Sequence, residues 1–182
     1  MNGSTSIRAA LERAARTVTL RPERGQRTYT NIARVQHGTC CTISEGNDRM
    51  VIDVPQALGG AGAGPSPSTV LRAAFTSCIA IGIKQSAARE SVEVDAIEVR
   101  LETDVDARGQ LGLADEITPG FLGIRLQIDV RTPADPSKLD DIIAKSLRYS
   151  PLLEVFANPQ SVTHQIRVAP PSNHRIGGRN GS

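Results

Sequence analysis

Apolar and polar residues alternate in short runs near the start of this chain, then give way to a long stretch with helical spacing. Residues 28–36 and 39–44 read as strands broken at His37-Gly38, and 49–54 as a third. Ahead of them Ile7, Leu11, Ala14 and Val18 fall on one face of a helix, predicting an amphipathic segment docked on the domain. A polar linker with Pro22 and Gly25 ends it. The glycine-rich stretch 59–65 reads as a flexible lead-in to a helix over about 67–89, with Ser66 as N-cap and Pro67 in the first turn. Val70, Leu71, Ala74, Phe75, Cys78, Ile79, Ile81 and Ile83 surround that helix with apolar side chains, which predicts burial on most sides. Lys84 marks where it is expected to emerge into solvent.

Alternation returns at Ile97, Val99, Leu101, Thr103 and Val105, a half-exposed strand whose phase break at Ala96-Ile97 predicts a bulge. A strand over 121–131 follows, with Ile124, Leu126, Ile128 and Val130 inward. Asp135 caps a second helix with Pro136 in its first turn and a single stripe of Leu139, Ile142, Ile143 and Leu147. Asn158-Pro159 breaks the chain, and 162–168 reads as a closing strand with His164 as a structural residue on its apolar face. The order predicts an α+β domain in which helices pack against antiparallel sheet. Its expected division is 1–26 as helix and linker, 27–169 as the folded domain and 170–182 as a loose tail.

Composition narrows the class of function. The hydrophobic share of 39% supports a core, while 3% aromatic residues and a net charge of +2 provide no basic, aromatic platform for nucleic acid. No apolar run reaches the roughly 18 residues of a membrane span. The Ser4-Thr5-Ser6 start with Arg8, Arg13 and Arg16 has something of a transit peptide, but the shared apolar face favours the docked helix. Three cysteines in no metal-like spacing fit a reducing compartment, with the cytoplasm as the default. No His, Cys, Asp or Glu cluster suggests a metal, and the glycine stretch lacks the spacing of a dinucleotide or phosphate loop. No cofactor is expected.

Three separated segments carry a resemblance. They are Leu58-Gly59-Gly60, Gly64-Pro65-Ser66-Pro67 and Ala73 to Cys78; then Val105 to Gly109 with Pro119-Gly120-Phe121; then Arg148 to Leu153 with Asn158-Pro159. In order and spacing they are similar to the osmotically inducible protein C and organic hydroperoxide resistance family, over roughly 30–168. The resemblance implies antiparallel sheets around a buried central helix in an intertwined homodimer, with active sites at the subunit interface. It implies a role in oxidative stress: a cysteine on the central helix reduces organic hydroperoxides, a second cysteine resolves the product, and an Arg held by a Glu activates the thiolate. Cys78 matches the first cysteine. Ser150 stands at the second-cysteine position, and Ser68 with Thr69 stands where the Glu is expected.

A reactive cysteine works as its thiolate. A thiol of ordinary pKa is only about 3% ionised at pH 7. Cys78 also lies about three turns into its helix, beyond the N-terminal dipole. An activating Arg is therefore required, and Arg34 or Arg49 on the early strands is the candidate; Arg72 sits about 120° away around the helix. From spacing alone an inert buried cysteine is the favoured reading, and the resemblance brings the reactive one level with it. Ser150 cannot close a disulfide, so an oxidised Cys78 needs an external thiol, or Cys40 or Cys41 if either lies near. The leading expectation is thus a thiol-dependent hydroperoxide reductase, one-cysteine or catalytically reduced. The alternative is a non-catalytic dimer binding a small apolar ligand at the subunit interface. An acyl-thioester hydrolase is disfavoured because no carboxylate starts the central helix.

Overall fold

The computed structural model describes residues 3–168; the expected tail at 170–182 lies outside them. The first helix, α1 (Gly3–Leu20), forms where the amphipathic pattern predicts it. The linker after it tightens into a 3-10 turn over Pro22–Gly25. Strands β1 (Ile32–Val35), β2 (Cys41–Glu45) and β3 (Asp48–Ile52) make an antiparallel meander in the order β1-β2-β3. Gly46, at φ 55°, supplies the left-handed residue of the two-residue turn between β2 and β3.

The glycine-rich loop is not a free lead-in. It wraps around Asp53, which is 2% exposed. The Asp53 carboxylate accepts hydrogen bonds from Thr39 Oγ1 at 2.6 Å and from the backbone N–H groups of Val54, Ala61 and Ala63 at 2.8, 3.0 and 3.1 Å. Four donors stabilise the charged form. The Thr39 hydroxyl is the strongest of them, and together they hold the Asp53 pKa down at about 2. Unfolded, the same carboxyl titrates near about 3.9. Its stabilising effect is therefore complete above that pH and is lost as pH falls towards 2. The urea midpoint of the wild type should drop across this window more steeply than that of Asp53→Asn, which lacks the effect at every pH. Parallel acid profiles would remove Asp53 from this role.

Helix α2 (Pro67–Arg89) begins as predicted, with Ser66 Oγ accepting from Thr69 N. Strands β4 (Ala96–Asp104) and β5 (Gly123–Arg131) pair antiparallel, joined through a short helical turn, α3 (Ala107–Gln110). Pairing is continuous from Ala96 opposite Arg131 to Asp104 opposite Gly123, so the expected bulge at Ala96-Ile97 is absent. The phase break there is simply the start of the strand. Helix α4 (Pro136–Arg148) is capped by Asp135, and a further short helix, α5 (Pro151–Ala157), is capped by Ser150.

The core lies on two sides of α2. Phe75, Ile79 and Ile83, spaced one turn apart, are fully buried. They meet Ile97, Val99, Leu101, Leu126 and Ile128 of the β4–β5 sheet, and Ile143, Leu147 and Leu152 from α4 and α5. Burying each such side chain stabilises by about 1.5–3 kcal/mol. All three phenylalanines of the chain share one stack, Phe75 on Phe156 at 4.5 Å and Phe156 on Phe121 at 6.2 Å between ring centres.

Two expectations about α2 are corrected. It does not emerge at Lys84: Ala87 and Ala88 are buried, and Lys84 Nζ donates to the Val94 carbonyl. The helix runs on to Arg89, and two residues later Ser91, in the left-handed region at φ 58°, accepts through its hydroxyl from Arg8 Nη1 of α1 at 2.7 Å. Nor is it covered all round within one chain, since Leu71 and Ile81 are 43% and 57% exposed. Residues 162–168 are likewise not a strand. Val162, Ile166 and Val168 are 83%, 79% and 92% exposed and His164 is exposed, because no strand edge in the described chain meets them.

Candidate active site

Cys78 sits midway along α2, half-buried, on the side that faces the junction of α4 and α5. Its Sγ lies 3.6 Å from Ser150 Oγ, across 72 residues of sequence. Ser150 is held there because it follows the C-cap of α4, Tyr149, and caps the start of α5: its Oγ accepts from Leu153 N at 3.3 Å. With that lone pair engaged, the Ser150 proton is free to be donated to the sulfur. One turn along, Gly82 lets α4 approach, since a Cβ on Gly82 would stand 2.9 Å from Ser146 Oγ. Ser146 is 7% exposed, and its Oγ is the buried side-chain polar atom left without a hydrogen-bond partner among the described residues.

These residues form the floor of a groove of about 570 Å³ between α2 and α4. Its far end carries Arg89, Glu90 and Lys145. Lys145 Nζ pairs with Glu90 Oε1 at 3.1 Å, while Arg89 has no ion-pair partner among the described residues. Arg89 was not anticipated from the sequence, although helical arithmetic could have found it. Eleven residues at 100° each return it to within about 20° of Cys78 around the axis.

The other anticipated residues lie elsewhere. Arg34, on β1, is exposed; Arg49, on β3, is exposed and donates to the Gly46 and Asp48 carbonyls at 2.9 and 2.7 Å. Neither lines the Cys78 groove, and the β1–β3 sheet does not pack on α2 within the chain. Cys40 and Cys41 are half-buried at the start of β2, free, and also away from the groove. At the start of α2 the Thr69 hydroxyl is engaged by Ser66 Oγ at 2.9 Å, and no carboxylate takes part.

The model of the family described as "OsmC-like protein" matches residues 59–165, more than half of the chain. The chain belongs to the OsmC-like family. The match begins at the glycine loop around Asp53 and takes in Cys78 and Ser150, leaving α1 and the β1–β3 sheet outside it. No curated protein matches in sequence. Solved structures agree with the OsmC-like fold. The OsmC-like protein of Mycoplasma pneumoniae superposes with TM-score 0.58 at 13% identity, over 74% of this chain and 90% of that one. An organic hydroperoxide resistance protein OsmC, a predicted redox protein of Legionella pneumophila, gives TM-score 0.51 at 21% identity, over 71% and 90%. An OsmC-like protein of unknown function from Vibrio cholerae gives 0.54 at 10%, over 71% and 93%. The α+β architecture, with the β4–β5 sheet and the other helices packed on α2, is therefore that of OsmC-like proteins. Among the described residues no helix is long and apolar enough to cross a membrane.

Proposed function

We propose that this OsmC-like protein reduces organic hydroperoxides in a one-cysteine, thiol-dependent cycle centred on Cys78. The observation that carries this reading is the 3.6 Å approach of Cys78 Sγ to Ser150 Oγ at the floor of an open groove. The thiolate attacks the outer oxygen of the hydroperoxide, forming an S–O bond as the O–O bond breaks. The alkoxide leaves and takes a proton from solvent. Sulfur is oxidised by two electrons to a sulfenic acid, and the hydroperoxide becomes an alcohol. The Ser150 hydroxyl offers a hydrogen bond to the sulfur in both states but cannot form a disulfide, so an external thiol has to complete the cycle. Serine and charged side chains in the groove suit an amphipathic ligand better than a purely apolar one.

The reading includes a homodimer. The exposed Leu71 and Ile81 side of α2 and the exposed apolar residues of 162–168 are left for a second copy to cover. Across that interface Arg34 or Arg49 of one chain is assigned as the activating cation for Cys78 of the other. Light scattering at micromolar concentration should give twice the chain mass, and a folded monomer would contradict the assembly. Three free cysteines suit a reducing, cytoplasmic setting. Catalysis is tested by following an organic hydroperoxide in the presence of dithiothreitol. Cys78→Ala should abolish consumption above background, whereas equal rates in the two proteins would overturn the proposal.

A further inference from the structure

We infer that, in the dimer, Cys41 of one chain stands over Cys78 of the other and closes an intersubunit disulfide with it when no external thiol is at hand. The inference rests on the peroxide reading for the oxidised sulfur, and on the uncovered faces of the chain for the pairing. Strand register decides which way Cys41 points. Residues directly opposite in an antiparallel pair share a face, so Cys41 lies with Val35 and Ile52. Two residues along β2, Ile43 lies with Ala33 and Met50 on that same face. The other face carries Arg34, Thr42, Ser44 and Arg49. Among the described residues the β1–β3 sheet packs on no helix of its own chain, and Val35 and Met50 are left exposed on the apolar face. On α2 the uncovered stripe is Leu71, Ala74, Cys78 and Ile81, spaced by three and four residues and free of charge. Each chain thus leaves over one apolar sheet face and one apolar helix face. A two-fold dimer covers both at once by laying each sheet on the α2 of the other chain. A cysteine then stands on each side of that contact. A disulfide needs Cα atoms within about 7 Å. Ala74 and Gly82, one turn to either side of Cys78, are small enough to let the sheet come close. Arg34 and Arg49, on the edge strands β1 and β3, reach the same sulfur around the edges of the sheet.

The chemistry follows from this placement. The hydroperoxide first takes Cys78 to its sulfenic acid. The Cys41 thiolate of the other chain attacks that sulfur, an S–S bond forms as the S–O bond breaks, and hydroxide leaves as water after taking a proton. The hydroperoxide is the oxidant: with two thiols it gives an alcohol, water and the disulfide. An external dithiol reverses the step by exchange, returning both cysteines to thiols and leaving as its own disulfide. The linked state lies off the thiol-dependent cycle and shields Cys78 from further oxidation, which the hydroxyl of Ser150 cannot do.

The test is a covalent dimer. Reduced protein, freed of thiol, receives an equimolar organic hydroperoxide, is quenched with an alkylating reagent and is run on a non-reducing gel. Most chains should migrate at twice the chain mass, with the Cys41 and Cys78 peptides joined in mass spectrometry, and dithiothreitol should reverse the link. Cys40→Ser should keep the band, because Cys40 precedes the strand and has no place in its register. Cys41→Ser should lose it and accumulate sulfinic acid on Cys78 instead. Light scattering should find each variant still dimeric, so that a lost band reports the thiol and not the assembly. A band that survives in Cys41→Ser, or a wild type that reaches sulfinic acid with no covalent dimer, overturns the pairing. Copper phenanthroline, which oxidises neighbouring thiols without hydroperoxide, separates this from the peroxide chemistry. A Cys41–Cys78 link made by copper phenanthroline and not by hydroperoxide upholds the pairing and refutes the peroxide reading. No link with either reagent refutes the pairing, and leaves the sulfenic acid on Cys78 to judge the peroxide reading.

Discussion

Ser150→Cys closes a disulfide with Cys78 on exposure to hydroperoxide, where the wild type has no partner for the sulfenic acid within its own chain. A thiol placed at Ser150 Oγ starts 3.6 Å from Cys78 Sγ, so a modest side-chain rotation and the longer C–S bond bring it towards the 2.05 Å of a disulfide. The site is buried at Ser150, which limits competition from solvent thiols. The measurable outcome is large. Intact mass after oxidation should fall by about two hydrogens relative to the reduced variant, in nearly all molecules and without added thiol. The substitution removes a serine cap from α5, so a loss of about 1 kcal/mol in the reduced state is expected alongside. A variant that still accumulates sulfinic acid on Cys78 would show that the two side chains do not meet in solution as they do here.

Gly60→Ala is the second large effect, on folding rather than chemistry. A Cβ at Gly60 would stand 1.9 Å from the Val54 carbonyl oxygen and 2.9 Å from Asp53 Oδ1. The first clash is with backbone, which cannot turn aside as a side chain can. Relief requires the loop to move off the Asp53 carboxylate, breaking the bonds from Ala61 and Ala63 that order it. Overpacking costs about 1–3 kcal/mol, occasionally more, and a clash with backbone belongs at the upper end. Gly59→Ala provides a comparison, because Gly59 has open space but a left-handed φ of 83° and should lose only the smaller backbone term. Denaturant unfolding of the three proteins should rank Gly60→Ala well below the other two, and similar midpoints would disprove this account of the loop.

What was legible in the chain follows from how local each signal is. The caps Ser66-Pro67 and Asp135-Pro136 act within one turn, and both helices start where they predict. The same serine-proline signal at Ser150-Pro151 marks α5 and could have been read from the same rule. The Asp53 hub was not legible, because three of its four donors are backbone N–H groups, of Val54, Ala61 and Ala63, which any sequence possesses. Residues 162–168 alternate as a strand does, yet alternation specifies a face and not a partner edge, and among the described residues they pair with no edge of either sheet. At the site, family segments pointed to Cys78 and Ser150 as a pair, and the fold brings them within contact. Arg34 and Arg49 came from a need for a cation and not from spacing, and within one chain they are far from being groove residues. Arg89 shows that the helical period carried information about charge as well as burial.

The central claim, that Cys78 is the atom on which hydroperoxide chemistry occurs, is tested most directly by mass spectrometry. The reduced protein is exposed briefly to an organic hydroperoxide with a sulfenic-acid trap present, and the peptides bearing Cys40, Cys41 and Cys78 are compared. The account predicts rapid, selective trapping at Cys78 with Cys40 and Cys41 largely unmodified. An unmodified Cys78, or equal slow modification of all three cysteines, would contradict it.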